Sequence, residues 1–533
     1  MIPGKQTRFW ERALFVLLGV ASLAWFLARV VPKPSRAAYP CQRASAPLAG
    51  GFLVWLAGLA GARFLRHRAL RCSTAGVRWA GAAAAVTAAF LLLWLPLAPT
   101  EEAAAQRGPA IPFQPSEGPN APMGTGQGIH PGRVVWVHDP SATRWDGKTG
   151  NWWDDANTDQ AAVDRMMDAG LRDLTGAKTA SQAWEMLFRH FNRTHGGGDR
   201  GYRRGEKIAI KINCNQDRSP EWGKGARPLN GLPSPQAVYA LVSQLIEAGV
   251  PGQDILLFEV AQGRNIGPPI YGKIRANPKP DFQAVQFVVN NDHGLGGRVL
   301  AQPDKSNPIR FAEPSLKEAF LPQPVVEARY MINMALFRPH FMAGVTLCAK
   351  NHFGSVYFPA AGGWTPGSLH NYISRTNPLG SYNPLVELIG HRHLGGKTVL
   401  YLIDGLYQSE HNEGNVIRFA TFGDGWAASL FLSQDPVAID SVALDFLAAE
   451  PRATNVTGNP DNYLHEAALA AKPPSGAKYD PEGDGVPLKS LGVHEHWNNA
   501  KDKKYSRNLG KQEGIELVAV ELSRKTAASA GSK

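Results

Sequence analysis

Hydrophobic and polar positions divide the chain into two regimes. Residues 13–31, 46–65 and 79–98 are continuous apolar runs of nineteen or twenty residues. At about 1.5 Å rise per residue, each is long enough to cross a hydrocarbon core of about 30 Å. Residues 101–131 (EEAAAQRGPAIPFQPSEGPNAPMGTGQGIHP) show no period and are rich in Pro, Gly and Ala, which predicts a linker. Beyond them, strand-like and helix-like stretches alternate. RVVWVHD (133–139), KIAIKIN (207–213), DILLFEV (254–260), AVQFVVN (284–290), ARYMINMAL (328–336), TVLYLID (398–404) and SLFLSQD (429–435) read as strands. Helical spacing marks residues 157–173 and 180–191; residues 234–248 and 436–449 start helices with Ser-Pro and Asp-Pro pairs. Several strands are apolar throughout, as when helices cover both faces of a sheet. The expected fold is α/β: an open, mostly parallel sheet with helices on both faces, preceded by an all-α transmembrane anchor. The expected boundaries are an anchor over 1–100, a linker over 101–131, an α/β domain over 132–522 and a disordered tail over 523–533.

Charge sharpens the anchor. The net charge is +11. All of it lies in residues 1–100, where twelve Lys and Arg face the single acid Glu11; the remainder carries 44 bases and 44 acids. A neutral soluble part gives no reason to expect nucleic acid as a partner. Lys5, Arg8, Arg12 and the five arginines from Arg63 to Arg78 outnumber Lys33, Arg36 and Arg43. This bias places the N-terminus inside and, after three spans, the α/β domain outside the cytoplasm. The expected location is a multi-pass cell-membrane protein in contact with the lipid bilayer. Were the second, Gly- and Ala-rich run not to cross, the domain would face the cytoplasm instead.

The four cysteines form no C-x-x-C pair, so neither a zinc ribbon nor an iron–sulfur ligand run is available. Cys214 and Cys348 read as buried thiols ahead of a disulfide. Neither nucleotide-binding glycine fingerprint occurs, and no G-x-S-x-G elbow.

Polar residues gather where the strands end. KINCNQ presents Lys211, Asn213 and Asn215 at alternate positions, and Glu259 ends the next strand. The stretch 331–355 supplies Asn333, Arg338, His340, Thr346, Lys350, Asn351 and His352; LIDGL supplies Asp404, and SQDPVAID supplies Asp435 and Asp440. Ligands of open α/β sheets bind beyond the strands' carboxyl ends, so these residues share one crevice if strand order allows. Lys350 and Asn351 suit a phosphate or carboxylate clamp, or a salt bridge and helix cap. His340 and His352 suit a general base or, with Asp404 or Asp435, a divalent metal. Asp435 before Pro436 reads first as a helix cap. His494-Glu495-His496 has the wrong spacing for a helical zinc motif, though one of its histidines is a candidate for the cleft. DPEGDG (480–485) reads as a turn, because Leu491 stands where a calcium loop needs Glu. Trp145, Trp152 and Trp153 read as a capping apolar patch, with a ligand-stacking surface as the alternative.

The AGVTLCAKNHFG segment, the KINCN strand, the Ser-Pro helix and the DGL…SQDPVAIDSVALDFL stretch together resemble the family called domain of unknown function 362, over about residues 130–520. GRVVWVHDP, NWWDDANTDQ, ATFGDGW and YDPEGDGVPLKSLGVHEHWNN resemble a subgroup with N-terminal membrane spans. Many members carry iron–sulfur ligand cysteines; this chain lacks those motifs, so no such cluster is expected.

Two functions fit these residues. One is an extracytoplasmic enzyme acting on a small anionic molecule, with or without a divalent metal. Lys211, Asn213, Asn215, Glu259, Asn333 and Asn351 would bind the ligand; His340, His352, Lys350 and Asp404 would carry the chemistry. The other is a non-catalytic, membrane-tethered protein whose cleft holds a ligand or partner. A redox component using an external cofactor is a third, weaker reading.

Overall fold

A computed structural model describes residues 24–25, 112–217, 231–300, 302–357 and 368–522. By internal contacts the chain divides into residues 1–108 and 109–533. The apolar runs expected as membrane spans lie outside the described residues except for Ala24 and Trp25, as does the expected tail. Among the described residues, no helix is long and apolar enough to cross a membrane.

The core of the second unit is a nine-stranded sheet. Its strands in chain order are β1 (Arg133–His138), β2 (Ile208–Ile212), β3 (Ile255–Glu259), β4 (Gln286–Val289), β5 (Val299–Leu300), β6 (Tyr330–Leu336), β7 (Thr398–Gly405), β8 (Ser429–Ser433) and β9 (Glu516–Glu521). They lie in the order β9-β1-β8-β7-β6-β2-β3-β4-β5. Only β8 runs against its neighbours, β1 and β7; every other pairing is parallel. The mostly parallel sheet expected from apolar strands is present, with one reversed strand.

Side chains alternate between two cores. In β1, Val134 and Trp136 enter one, Val135 and Val137 the other. Helices α1 (Gln160–Thr175), α2 (Ala180–Thr194) and α3 (Pro235–Glu247) fill one face. The short α4 (Cys348–Asn351), α5 (Pro436–Ala448) and α6 (Asn462–Ala468) pack on the other. The caps follow the sequence. Asp159 accepts from Ala162 N, Thr179 from Gln182 N, and Asp435 from Val437 N and Ala438 N. Asp435 therefore holds a helix and two distant segments of chain: its other oxygen accepts from Gln127 N and Val493 N.

Residues 112–131, read from composition as a linker, lie against this domain. Phe113 is buried, Met123–Gly124 pairs with Val493–His494, and Asn120 N donates to His496 O. The stretch lacks a period because it is neither helix nor long strand; its few apolar and backbone groups are nevertheless spent on the domain.

Candidate anion-binding site at the strand ends

β2, β3, β6 and β7 lie side by side and end together. Lys211 stands opposite Asn333 and Phe258 in the ladder, and Asp404 opposite Leu336. Just past β6, Arg338–His340 and Gly344–Thr346 form a hairpin that leads into α4. α4 is anchored from below: Asp440 of α5 accepts from Cys348 N (2.8 Å) and Ala349 N (3.0 Å), and Tyr463 OH donates to the same carboxylate. This cap aims Lys350, Asn351 and His352 at the strand ends.

Five of the expected residues, Lys211, Glu259, Asn333, Asn351 and His352, meet there in one buried network. Lys211 Nζ donates to Glu259 Oε2 (3.1 Å), Asn351 Oδ1 (3.2 Å) and Ile212 O (2.7 Å). Glu259 also accepts from Cys214 N and Ala261 N. Asn351 Nδ2 donates to Asn333 Oδ1 (2.7 Å), and Asn333 Nδ2 donates to Cys348 O (2.9 Å) and lies 3.0 Å from His352 Nε2. An amide donor at Nε2 makes that nitrogen the acceptor, so the His352 proton sits on Nδ1 and donates to Ser355 Oγ (3.1 Å). Burial and the Lys211 charge push His352 down to about 3. It is neutral and both its nitrogens are used, which makes it a positioning residue rather than a free base.

His340 is also neutral. Its Nδ1 accepts from Met342 N (3.1 Å) and Ala343 N (3.2 Å), which leaves the proton on Nε2. Burial, then the Lys350 and Arg338 charges, hold it well below its ordinary range. Asp404 accepts from Ser234 N (2.7 Å) at the start of α3 and from Leu406 N (3.1 Å); burial raises it to about 6. Asn213 accepts from Arg338 Nη2 (3.2 Å), whereas Asn215 Oδ1 accepts from Arg264 Nη2 (3.1 Å).

Two cations stand out against this satisfied background. The Arg338 guanidinium is 2% exposed. It donates only to Gly231 O (2.5 Å) and Asn213 Oδ1; its Nε has no partner, and no carboxylate pairs with it among the described residues. Thr346, opposite it in the hairpin, has a buried and unpartnered Oγ1. Lys350 is 9% exposed, and its Nζ lies over the Phe353 ring, 3.5 Å from the centroid. It makes no hydrogen bond or ion pair among the described residues. Burial, then the nearby Arg338, push it down to about 7. Lys211, by contrast, is neutralised by Glu259.

Arg338 and Thr346 were visible in the sequence but carried no more weight there than their neighbours. Which cation is spent and which is unspent depends on contacts that spacing does not reveal. The histidine and acid donors that converge as a metal group would are a different set, Glu117, Asp461, His465 and His494. They come from three distant stretches, and only the last was a candidate from sequence.

Elsewhere, Trp145, Trp152 and Trp153 are buried, as an apolar cap would be. Trp145 stacks on Trp426, and a cavity of about 730 Å³ opens beside them, lined by Trp136, Phe446, Trp497, Arg418 and Lys503 among others. Cys214 and Cys348 are buried free thiols, and Asp480 is consumed by its own turn through Gly483 N, Asp484 N and Gly485 N.

A doubly covered, mostly parallel sheet with a buried polar network at its strand ends is an open α/β architecture. Residues 208–445, which span β2 through most of α5 and contain every residue of the crevice, match the family model described as Domain of unknown function (DUF362). No curated protein matches the chain.

Proposed function

We propose that this is a membrane-anchored protein whose α/β domain, on the extracytoplasmic side, binds a small anionic molecule at the strand ends. The observation that carries the reading is the pair Arg338 and Lys350: two buried cations with no carboxylate partner among the described residues. An uncompensated buried charge is costly, and a phosphate or carboxylate would offset both at once. Arg338 offers a directional Nε–H, Thr346 a hydroxyl and Lys350 a point charge. If chemistry follows binding, His340 Nε2–H donates a hydrogen bond to the reacting group and Lys350 stabilises developing negative charge. Asn333, Asn351, His352 and the Lys211–Glu259 pair hold the floor of the crevice.

The test is calorimetric titration of the detergent-purified full chain with inorganic phosphate, pyrophosphate and citrate, repeated on Lys350→Met and Arg338→Gln. At least one probe is expected to bind wild type and to bind both variants at least tenfold more weakly. Equal affinity for wild type and Lys350→Met would remove the reading. A non-catalytic binding protein is the second reading, favoured by the aromatic cavity beside Trp145 and Trp426, whose Arg418 and Lys503 lie over aromatic faces. Flat aromatic ligands quenching tryptophan fluorescence, with no effect of Lys350→Met, would favour it.

A further inference from the structure

Glu117, Asp461, His465, His494 and His496 form a second polar centre that the strand-end site does not use. Glu117 comes from the stretch before β1, Asp461 and His465 from the cap and body of α6, His494 from the pairing partner of Met123–Gly124, and His496 from two residues beyond it. Three imidazoles point the same nitrogen at one oxygen. From Glu117 Oε1, His465 Nε2 and His494 Nε2 are each 3.2 Å away and His496 Nε2 is 3.5 Å away. Asp461 Oδ2 lies 3.5 Å from His465 Nε2. These are contacts without hydrogen-bond alignment. All three Nε2 atoms, Glu117 Oε1 and Asp461 Oδ1 are buried with no hydrogen-bond partner. His494 is 0% and Asp461 2% exposed, so water does not compensate them.

A cluster of hydrogen-bonded imidazoles and acids would aim N–H groups at separate lone pairs. Here the donors surround a common point instead. In a tetrahedral site with bonds of about 2.0–2.1 Å, neighbouring ligand atoms lie about 3.3 Å apart; the Glu117–histidine spacings match this, and the ligand atoms of Glu117, Asp461, His465 and His494 all lie within 4.8 Å of one another. The outer nitrogens are already fixed. His494 Nδ1 is 2.8 Å from Ser441 Oγ, and His496 Nδ1 is 2.5 Å from Asp445 Oδ1. Asp445 is held in turn by Tyr505 OH and Trp497 N. A carboxylate behind a histidine, leaving Nε2 as a lone-pair donor, is the usual support of a metal ligand.

We propose that His465, His494, His496 and Glu117 bind one divalent transition-metal ion, with Asp461 as a further oxygen donor. Three imidazoles and carboxylates without thiolate suit zinc, iron, nickel or manganese ahead of calcium or magnesium, which take oxygen ligands. The ion clasps the stretch around Glu117 to α6 and to Val493–His494, and so fixes the approach to β1. It does not rest on the anion-binding reading, whose residues are separate.

The test uses the full chain, stripped with chelator and titrated with Zn²⁺, Mn²⁺ and Co²⁺ while bound metal and melting temperature are followed. About one equivalent is expected, with a higher melting temperature on loading. Co²⁺ should give the visible absorption of a low-coordinate nitrogen–oxygen site. Glu117→Ala, the least buried of the set, should weaken binding about 10–100-fold, and His465→Gln at least as much. Stoichiometric binding that both variants retain would overturn the site, as would a wild-type chain that takes up none of the three ions at micromolar concentration. Should a variant fold poorly, the wild-type titration and the Co²⁺ spectrum decide alone.

Discussion

Lys211 and Glu259 sit at the ends of neighbouring strands with Nζ and Oε2 3.1 Å apart, and neither side chain is more than 1% exposed. The pair is closed on itself, so it contributes structure to the crevice and no free charge. Removing one partner strands the other. Glu259→Gln should cost about 3–5 kcal/mol in denaturant unfolding, and Lys211→Met with Glu259→Leu should cost clearly less than the sum of the single changes. Additive costs would mean that the contact carries little.

Lys350 should give the crevice a pH dependence. Its neighbours are Arg338 and Lys211, which disfavour its charge, and Glu259, which favours it; burial dominates and places it near 7. Below that pH the ammonium is present, so anion affinity should fall as pH rises through about 7. Stability has its own sign. The unfolded chain keeps the lysine protonated to about 10.4, so wild-type stability rises relative to Lys350→Met between about pH 7 and 10. Relative to Lys350→Met, wild type should gain about 4–5 kcal/mol between pH 7 and pH 10, with no further change below about pH 6. A difference that is constant with pH would show that Lys350 does not titrate in this window.

Asp440 acts on the crevice through α4. Asp440→Ala removes the acceptor of Cys348 N, Ala349 N and Tyr463 OH. The expected loss is about 2 kcal/mol in stability, with weaker anion binding because Lys350 loses its placement. Asp440→Asn should recover part of both. Full anion affinity in a destabilised Asp440→Ala chain would separate the helix from the site.

Sidedness is open to a direct measurement. A phosphatase reporter fused after Lys533 should be active and a fluorescent reporter that folds only in the cytoplasm should be dark. The reverse pattern would mean that the run at 46–65 does not cross and that the domain faces the cytoplasm.

Seven strands and the helices beginning at Pro235 and Pro436 were legible because apolar runs and Pro-led caps report local structure. The reversal of β8 was not, since SLFLS is equally apolar read either way. β9 is an edge strand with only Leu517 buried and lies beyond the strong pattern, and β5 has only two residues, both exposed. At the site, the sequence placed Lys211, Asn333, Asn351 and His352 together through their strand-end positions. It could not tell that His352 has both nitrogens committed while Arg338 Nε has none. Glu117 and His465 were invisible as a pair because nothing local relates them; only the fold brings their stretches together.

The outermost pairing sets an order on how the molecule is made. β9 lies along β1 in parallel register from Glu516↔Arg133 to Glu521↔His138, partners 383 residues apart. During vectorial synthesis β1 emerges early, and its apolar VVWV segment must wait for both β8 and β9. Once β8 is in place, β1 still presents an open outer edge until β9 is made, and an open edge of apolar strand is a template for pairing with other chains.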